Sequence, residues 1–332
     1  MSPLDLSGSP ALAASRRFSL AALAQLQARL AAACPVAGDR STLLAAGSLG
    51  RLEAHAQSDC DAIIIVPAAA PPAWPVASFF DEVAACGLRP SKPGGIYRTP
   101  LDALALTRPQ DRGSLEEAPA IFGRRMALLL DARAITGEVA FLALRESVLA
   151  WYAGDYLAHY PQAQWTLLIN DVARYLHAYA GWQQYDFGRT PDDGWYLRQA
   201  KLRSSRLLTF AGLLLLLGAS SQRGGEKRDW LTQHLPLTPL ERVAAVMQPL
   251  DPAGFERLLG AYEAVHAQLC EPEIRAQLLA LSPPAGGVLP RYFPEPYASI
   301  HASSGCLLRE LTRFVLARGD DWHPDFFSYW LF

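Results

Sequence analysis

The chain has 332 residues, 51% of them hydrophobic and 19% charged, with 30 basic against 32 acidic side chains and a net charge of −2. This composition excludes global disorder, and the near-neutral balance argues against a basic, non-specific nucleic-acid binder. The five cysteines are an odd count with no C-x-x-C spacing, so they read as reduced cytosolic thiols, not as a disulfide framework or a zinc ribbon.

In chain order, residues 11–34 read as an Ala-rich helix ended by Pro35, with no positively charged leader ahead of it; no signal peptide is expected. Thr42–Ala46 is short and apolar and breaks at Gly47. The β-branched run Asp61–Val66, stopped by Pro67, reads as a buried strand. A Pro/Ala loop to Pro75, a helix over Val76–Cys86 and a further strand over Gly95–Thr99 follow. From Ser114 the pattern turns helical, with helices expected over 114–133, 138–159, 163–185, 193–219, 238–248, 251–270, 271–282 and 296–318. The most apolar run, Leu207–Ala219, is thirteen residues long, short of the roughly 20 a bilayer demands, so it reads as a buried core helix. The expected architecture is α+β: a small mixed β-sheet domain over 1–113, then a larger all-α domain over 114–332. A cytoplasmic location without membrane contact is expected.

The chemistry concentrates in Gly47-Ser48-Leu49-Gly50-Arg51 and Ser58-Asp59-Cys60-Asp61. A glycine at a strand end lets the backbone approach a phosphate closely. Ser48 and the amides after it would open a helix able to hold anionic oxygens, and Arg51, one turn on, would balance a phosphate or position the turn. Asp59 and Asp61 stand i, i+2 at a strand start, so both leave the same face, where two carboxylates repel unless a cation joins them. Mg²⁺ favours such a pair together with phosphate oxygens. The plainer alternative is a tight turn at Gly47 and two aspartates capping a hairpin. Cys60, between them, reads as a small core residue on the opposite face.

The stretch GSLGRLEAHAQSDCDAIIIV resembles the signature of the polymerase-β-like nucleotidyltransferase superfamily. It is most similar to bacterial protein-modifying members, the PII uridylyltransferase and glutamine synthetase adenylyltransferase types, and to relatives with a helical substrate-binding domain. A looser similarity runs over about residues 42–218, through RRMALLLDARAITGE, LLINDVARYL and WYLRQAKLRSSRLL. The resemblance implies a Mg²⁺- (or Mn²⁺-) dependent nucleotidyltransferase with Asp59 and Asp61 as metal ligands. Gly47 and Ser48 would hold the triphosphate, with Arg51 and Ser58 as further nucleotide contacts. It also implies a third carboxylate on a later strand. The region around GGIYRTP holds none, and Asp102 is the nearest acid, equally readable as a helix cap.

In the helical half, Arg198, Lys201 and Ser205 fall at i, i+3 and i+7 and share a face on uninterrupted helical spacing. The superfamily often draws a Lys and a hydroxyl from such a helix onto the triphosphate; a solvated basic face is the alternative. Asp171 and Arg174 suit an intrahelical pair, while Asn170 and Arg174 would instead line a cleft. The aromatic C-terminal DWHPDFFSYWLF is expected to tuck into the helical core. The functional expectation is therefore an enzyme that moves NMP from an NTP to a hydroxyl on a protein or small molecule, releasing pyrophosphate. A nucleotide-binding regulatory module that has lost transfer, and a toxin or phage-defence enzyme acting on RNA or nucleotides, are the alternatives; near-neutral charge disfavours nucleic acid as a partner.

Overall fold

The computed structural model describes residues 4–33, 42–67, 76–91, 96–160, 163–185, 194–284 and 290–331. The Gly95 end of the expected third strand, most of the Pro67–Pro75 loop, and Cys34 lie outside the described residues. The protein is mixed α and β: helices dominate, and five strands form one small mixed sheet.

The chain divides into two units. The sheet unit comprises residues 14–168 and 223–238; the helical unit comprises 1–13, 169–222 and 239–332. The boundary expected near residue 113 thus falls inside the sheet unit.

The sheet unit opens with α1 (Pro10–Ala33), most of which lies in it, followed by β1 (Thr42–Ala46), a one-turn helix α2 (Gly47–Gly50) and β2 (Asp59–Val66). Helix α3 (Val76–Ala85) and two-residue strands β3 (Arg89–Pro90) and β4 (Leu101–Asp102) come next. Then come α4 (Pro119–Leu130), β5 (Arg133–Thr136) and α5 (Glu138–His159). The sheet order is β3-β2-β1-β5, with β4 also on β2. Strand β1 is antiparallel to β2 and β5, whereas β3 and β4 run parallel to β2. The segment expected as a strand over Gly95–Thr99 instead makes a 3₁₀ turn at Ile96–Arg98, with the strand pairing falling at Arg89–Pro90 and Leu101–Asp102.

The period-2 alternation of β2 explains its packing. Cys60, Ala62 and Ile64 join Leu43 and Ala45 of β1 in a core closed by Leu23, Leu26 and Leu30 of α1 and by Phe79, Phe80 and Val83 of α3. Burying each of these large apolar side chains contributes about 1.5–3 kcal/mol. Asp59 and Asp61 therefore emerge on the face opposite Cys60, as the spacing predicts. Strand β5 lies at the end of a stretch that reads as helix, and its pairing with β1 draws α4 and α5 into the sheet unit.

The helical unit contains α6 (Thr166–Tyr185) from Ile169 onward, α7 (Trp195–Lys201) and α8 (Leu207–Ser220). A π-helical turn at Leu202–Arg206 joins the last two. Helix α9 (Lys227–His234) returns to the sheet unit; α10 (Pro239–Met247), α11 (Pro252–Cys270), α12 (Pro272–Ala280), α13 (Tyr297–Leu316) and α14 (Pro324–Leu331) complete the helical unit. Trp195–Ser220 is long and apolar enough to cross a membrane by length and composition, yet most of its apolar window is buried within the protein. Leu208, Leu213 and Leu216 are fully buried, and α8 packs on α10. Near the C-terminus Trp322 and Phe326 are buried, whereas Tyr329 and Leu331 are exposed, so the aromatic run tucks in only in part.

Candidate functional site

The site begins at the β1–β2 register. Ala46 pairs with Asp61, so the Gly47 turn and the aspartate pair stand at the same end of adjacent strands. Gly47 has φ +65, a left-handed conformation that strains any L side chain. A Cβ there would lie 2.9 Å from Asp61 Oδ2. The glycine is thus set by two constraints, the turn and the carboxylate beside it. Ser48 is half-buried, and its hydroxyl makes no hydrogen bond to the described residues. Asp59 is exposed and Asp61 half-buried.

Behind the turn the chain is tightly held. The amides of Arg51 and Glu53 donate to the carbonyls of Gly47 and Ser48 at 3.0 and 2.8 Å. A Cβ on Gly50 would collide with the backbone carbonyls of Asp131 and Ala45, so this glycine serves close packing. Leu52, buried, sits at φ 61, an uncommon conformation for a bulky side chain.

Arg51 corrects one expectation. Its Nε donates to Glu53 at 2.7 Å and its Nη1 to Asp131 at 2.9 Å, and all three side chains are buried. A guanidinium so enclosed by two carboxylates positions the turn from behind, tying it to the C-terminal end of α4, which is the second of the two roles the sequence offered for it. Ser58 is corrected as well: it is buried, and its Oγ accepts from the His55 amide at 3.1 Å, closing the 55–58 loop.

Asp102 is the third correction. It pairs with Val66 at the far end of β2. At about 3.3 Å per residue, it stands about 16 Å along the strand from Asp61. Its carboxylate accepts from the Leu104 amide at 3.0 Å, capping a 3₁₀ turn. The cap alternative holds, and the aspartate pair gains no acid from it.

The residue that the register places next to Asp59 is Arg89. Sequence pattern did not single it out, because a two-residue strand carries no periodicity. Paired residues of parallel strands share a face, so an exposed guanidinium accompanies the two aspartates, and no ion pair within 4 Å joins Arg89 to Asp59. Between the aspartates, burial pushes the Cys60 thiol up to about 12, with the neighbouring Asp61 and Asp59 charges adding to the effect. Cys60 is a core residue.

The helical-unit candidates are not brought onto one face. The π turn at Leu202–Arg206 inserts i→i+5 geometry between Lys201 and Ser205, which breaks the i, i+7 alignment with Arg198. Ser205 is buried, with its Oγ donating to the Lys201 carbonyl at 3.5 Å; Arg198 and Lys201 are half-buried. Ser205 is thereby corrected as a phosphate contact, since its hydroxyl is turned into its own helix. Asp171 and Arg174 form the intrahelical pair, at 3.1 Å.

Among the described residues, no group of three or more His, Cys, Asp or Glu side chains is gathered to hold a metal ion. Two carboxylates on one face are nonetheless a donor set that Mg²⁺ or Mn²⁺ accepts when phosphate oxygens and water fill the rest of the shell. The residues fit a metal delivered with a triphosphate better than a resident one. The chain matches no protein-family model and no curated protein.

Proposed function

We propose that the sheet unit binds a nucleoside triphosphate with Mg²⁺ and transfers its nucleotidyl group to an acceptor hydroxyl. The observation that carries this reading is the register Ala46↔Asp61, with Gly47 at φ +65 against the Asp61 carboxylate. It sets a Gly-Ser turn with no Cβ at Gly47 beside two same-face carboxylates, which is the pairing the nucleotidyltransferase resemblance calls for.

In this reading, Asp59 and Asp61 hold the divalent ion, which when bound offsets charge on the triphosphate. The Gly47–Ser48 backbone and the Ser48 hydroxyl meet the phosphate oxygens at the closest approach the missing Cβ allows. Arg51, with Glu53 and Asp131, keeps the turn from shifting under that load. The acceptor oxygen bonds to the α-phosphorus and gives up its hydroxyl proton to water, the bond from that phosphorus to the α,β-bridging oxygen breaks, and pyrophosphate leaves with the electron pair. The acceptor is a hydroxyl of a protein side chain or of a small molecule.

A second reading has a specific observation in its favour. Asp102 lies at the wrong end of β2, and among the described residues no third acid joins the pair. A protein that binds the nucleotide and signals its presence without transfer needs only the two aspartates. Incubation of the full chain with Mg²⁺ and each α-phosphate-labelled NTP, beside an Asp59→Asn/Asp61→Asn control, separates the two. Label on protein, or pyrophosphate release absent in the control, supports transfer. Mg²⁺-dependent binding without release supports the regulatory reading, and no binding at all overturns both.

A further inference from the structure

Helix α5 is broken within its length. Gly154 has φ 52 and ψ −161, a conformation open essentially to glycine alone. Such a break frees carbonyls of the preceding turn from their helical donors. One of them, the Trp151 carbonyl, instead accepts from Arg112 Nη1 at 3.2 Å. The guanidinium lies against Gly154 where a Cβ would collide with Nη1.

Beside this break is a cleft of about 330 Å³ whose described lining residues all belong to the sheet unit. Its lining includes the polar Arg112, Gln164 and Thr166 and the apolar Ala153, Leu157 and Leu167. Gln164 is only 3% exposed, whereas Arg112 is exposed to solvent. Tyr152 also lines the cleft, but its phenol oxygen accepts from Arg125 Nε at 3.1 Å. Among the described residues no acidic side chain lines the cleft, and Arg112 is its one positive charge. Mending the helix break uses one of the five N–H donors of a guanidinium; among the described residues Arg112 makes no other hydrogen bond.

We propose that this cleft is a binding site for a small monocarboxylate with a short hydrocarbon tail. The planar fork of Arg112 matches a carboxylate in two parallel hydrogen bonds. Thr166 and Gln164 supply polar company for the head, and Leu157, Leu167 and Ala153 an apolar wall for the tail. The volume of about 330 Å³ falls at the lower end of the range of small-molecule pockets. The site is independent of the nucleotide reading, because none of its residues belongs to the Gly47–Asp61 constellation.

The test is ligand-observed NMR on the full chain with acetate, butyrate, hexanoate and inorganic phosphate. Affinity is expected to rise from acetate to hexanoate. Arg112→Gln is expected to weaken hexanoate at least tenfold, and Leu157→Trp, which fills the cleft and leaves Arg112 in place, to abolish binding. Circular dichroism establishes that both variants are folded; if one is not, the other carries the test. The proposal is overturned if no carboxylate binds, if phosphate binds as well as hexanoate, or if a folded variant binds like the wild type.

Discussion

Replacing Arg51 by Met tests whether the shape of the turn or the phosphate depends on this side chain's charge, and the buried contacts of Arg51 favour the turn. The Arg51 guanidinium reaches Glu53 at 2.7 Å and Asp131 at 2.9 Å, with side-chain exposures of 5%, 6% and 4%. Methionine fills similar space but leaves two buried carboxylates without their cation. Breaking a buried ion pair from one side costs about 3–5 kcal/mol, because the abandoned charge stays desolvated. Two charge-assisted hydrogen bonds at about 1.5–3 kcal/mol each bring the same range from the other direction. The expected loss is about 4 kcal/mol, about a thousandfold in the unfolding equilibrium constant. Urea unfolding together with amide exchange in β1 and β5 reads it directly, since Asp131 lies next to β5. Arg51→Lys is expected to fall between, as one ammonium cannot fork to both acids. If Arg51→Met unfolds within about 0.5 kcal/mol of wild type and instead loses nucleotide affinity, the guanidinium serves phosphate and the buried triad is refuted.

Other expectations are as direct. Asp59→Asn or Asp61→Asn should leave the urea midpoint near that of the wild type while removing Mg²⁺-dependent NTP binding, followed by fluorescent-nucleotide titration; unchanged binding would sink the metal assignment. Gly47→Ala should destabilise by about 1–2 kcal/mol from left-handed strain alone, and should also displace Asp61, so nucleotide affinity falls further than stability does; equal affinity in calorimetry would argue against the turn as a phosphate cradle. Cys60 should resist a thiol reagent at pH 8 in the native protein and react in urea, since burial holds its thiol protonated up to about 12. Asp251 carries a pH dependence: the Gly254 amide, and then Arg313, hold its carboxyl below the usual value. The unfolded chain then takes up the proton first as pH falls, so this contribution is present above about 3.8 and is lost on acidification through the lower folded value. Asp251→Asn should flatten the acid limb of a stability–pH curve, and an unchanged limb would contradict the assignment.

The sequence by itself determined the local pieces: β1 ending at Gly47, the buried β-branched run of β2, the same-face placement of Asp59 and Asp61, Cys60 in the core, and helices α10 to α13. Each rests on periodicity or backbone chemistry within a few residues, which is why each was legible. Helices α9 and α14 were not anticipated; both are eight residues long, too short for a decisive period. What only the tertiary structure decided depends on partners far apart in the chain. Arg51 and Asp131 are 80 residues apart, and nothing in the local pattern says that one buries the other. Strand β5 was hidden at the end of a helical pattern because its four residues become a strand only by pairing with β1. Arg89 stands next to Asp59, and Asp102 stands far from it, through strand register, which two-residue strands cannot announce. The face of Ser205 was lost to a π turn whose i→i+5 bonding leaves no mark in composition. The aspartate pair and its glycine turn are a property of this sequence; the charges that surround them are set by which strands lie side by side.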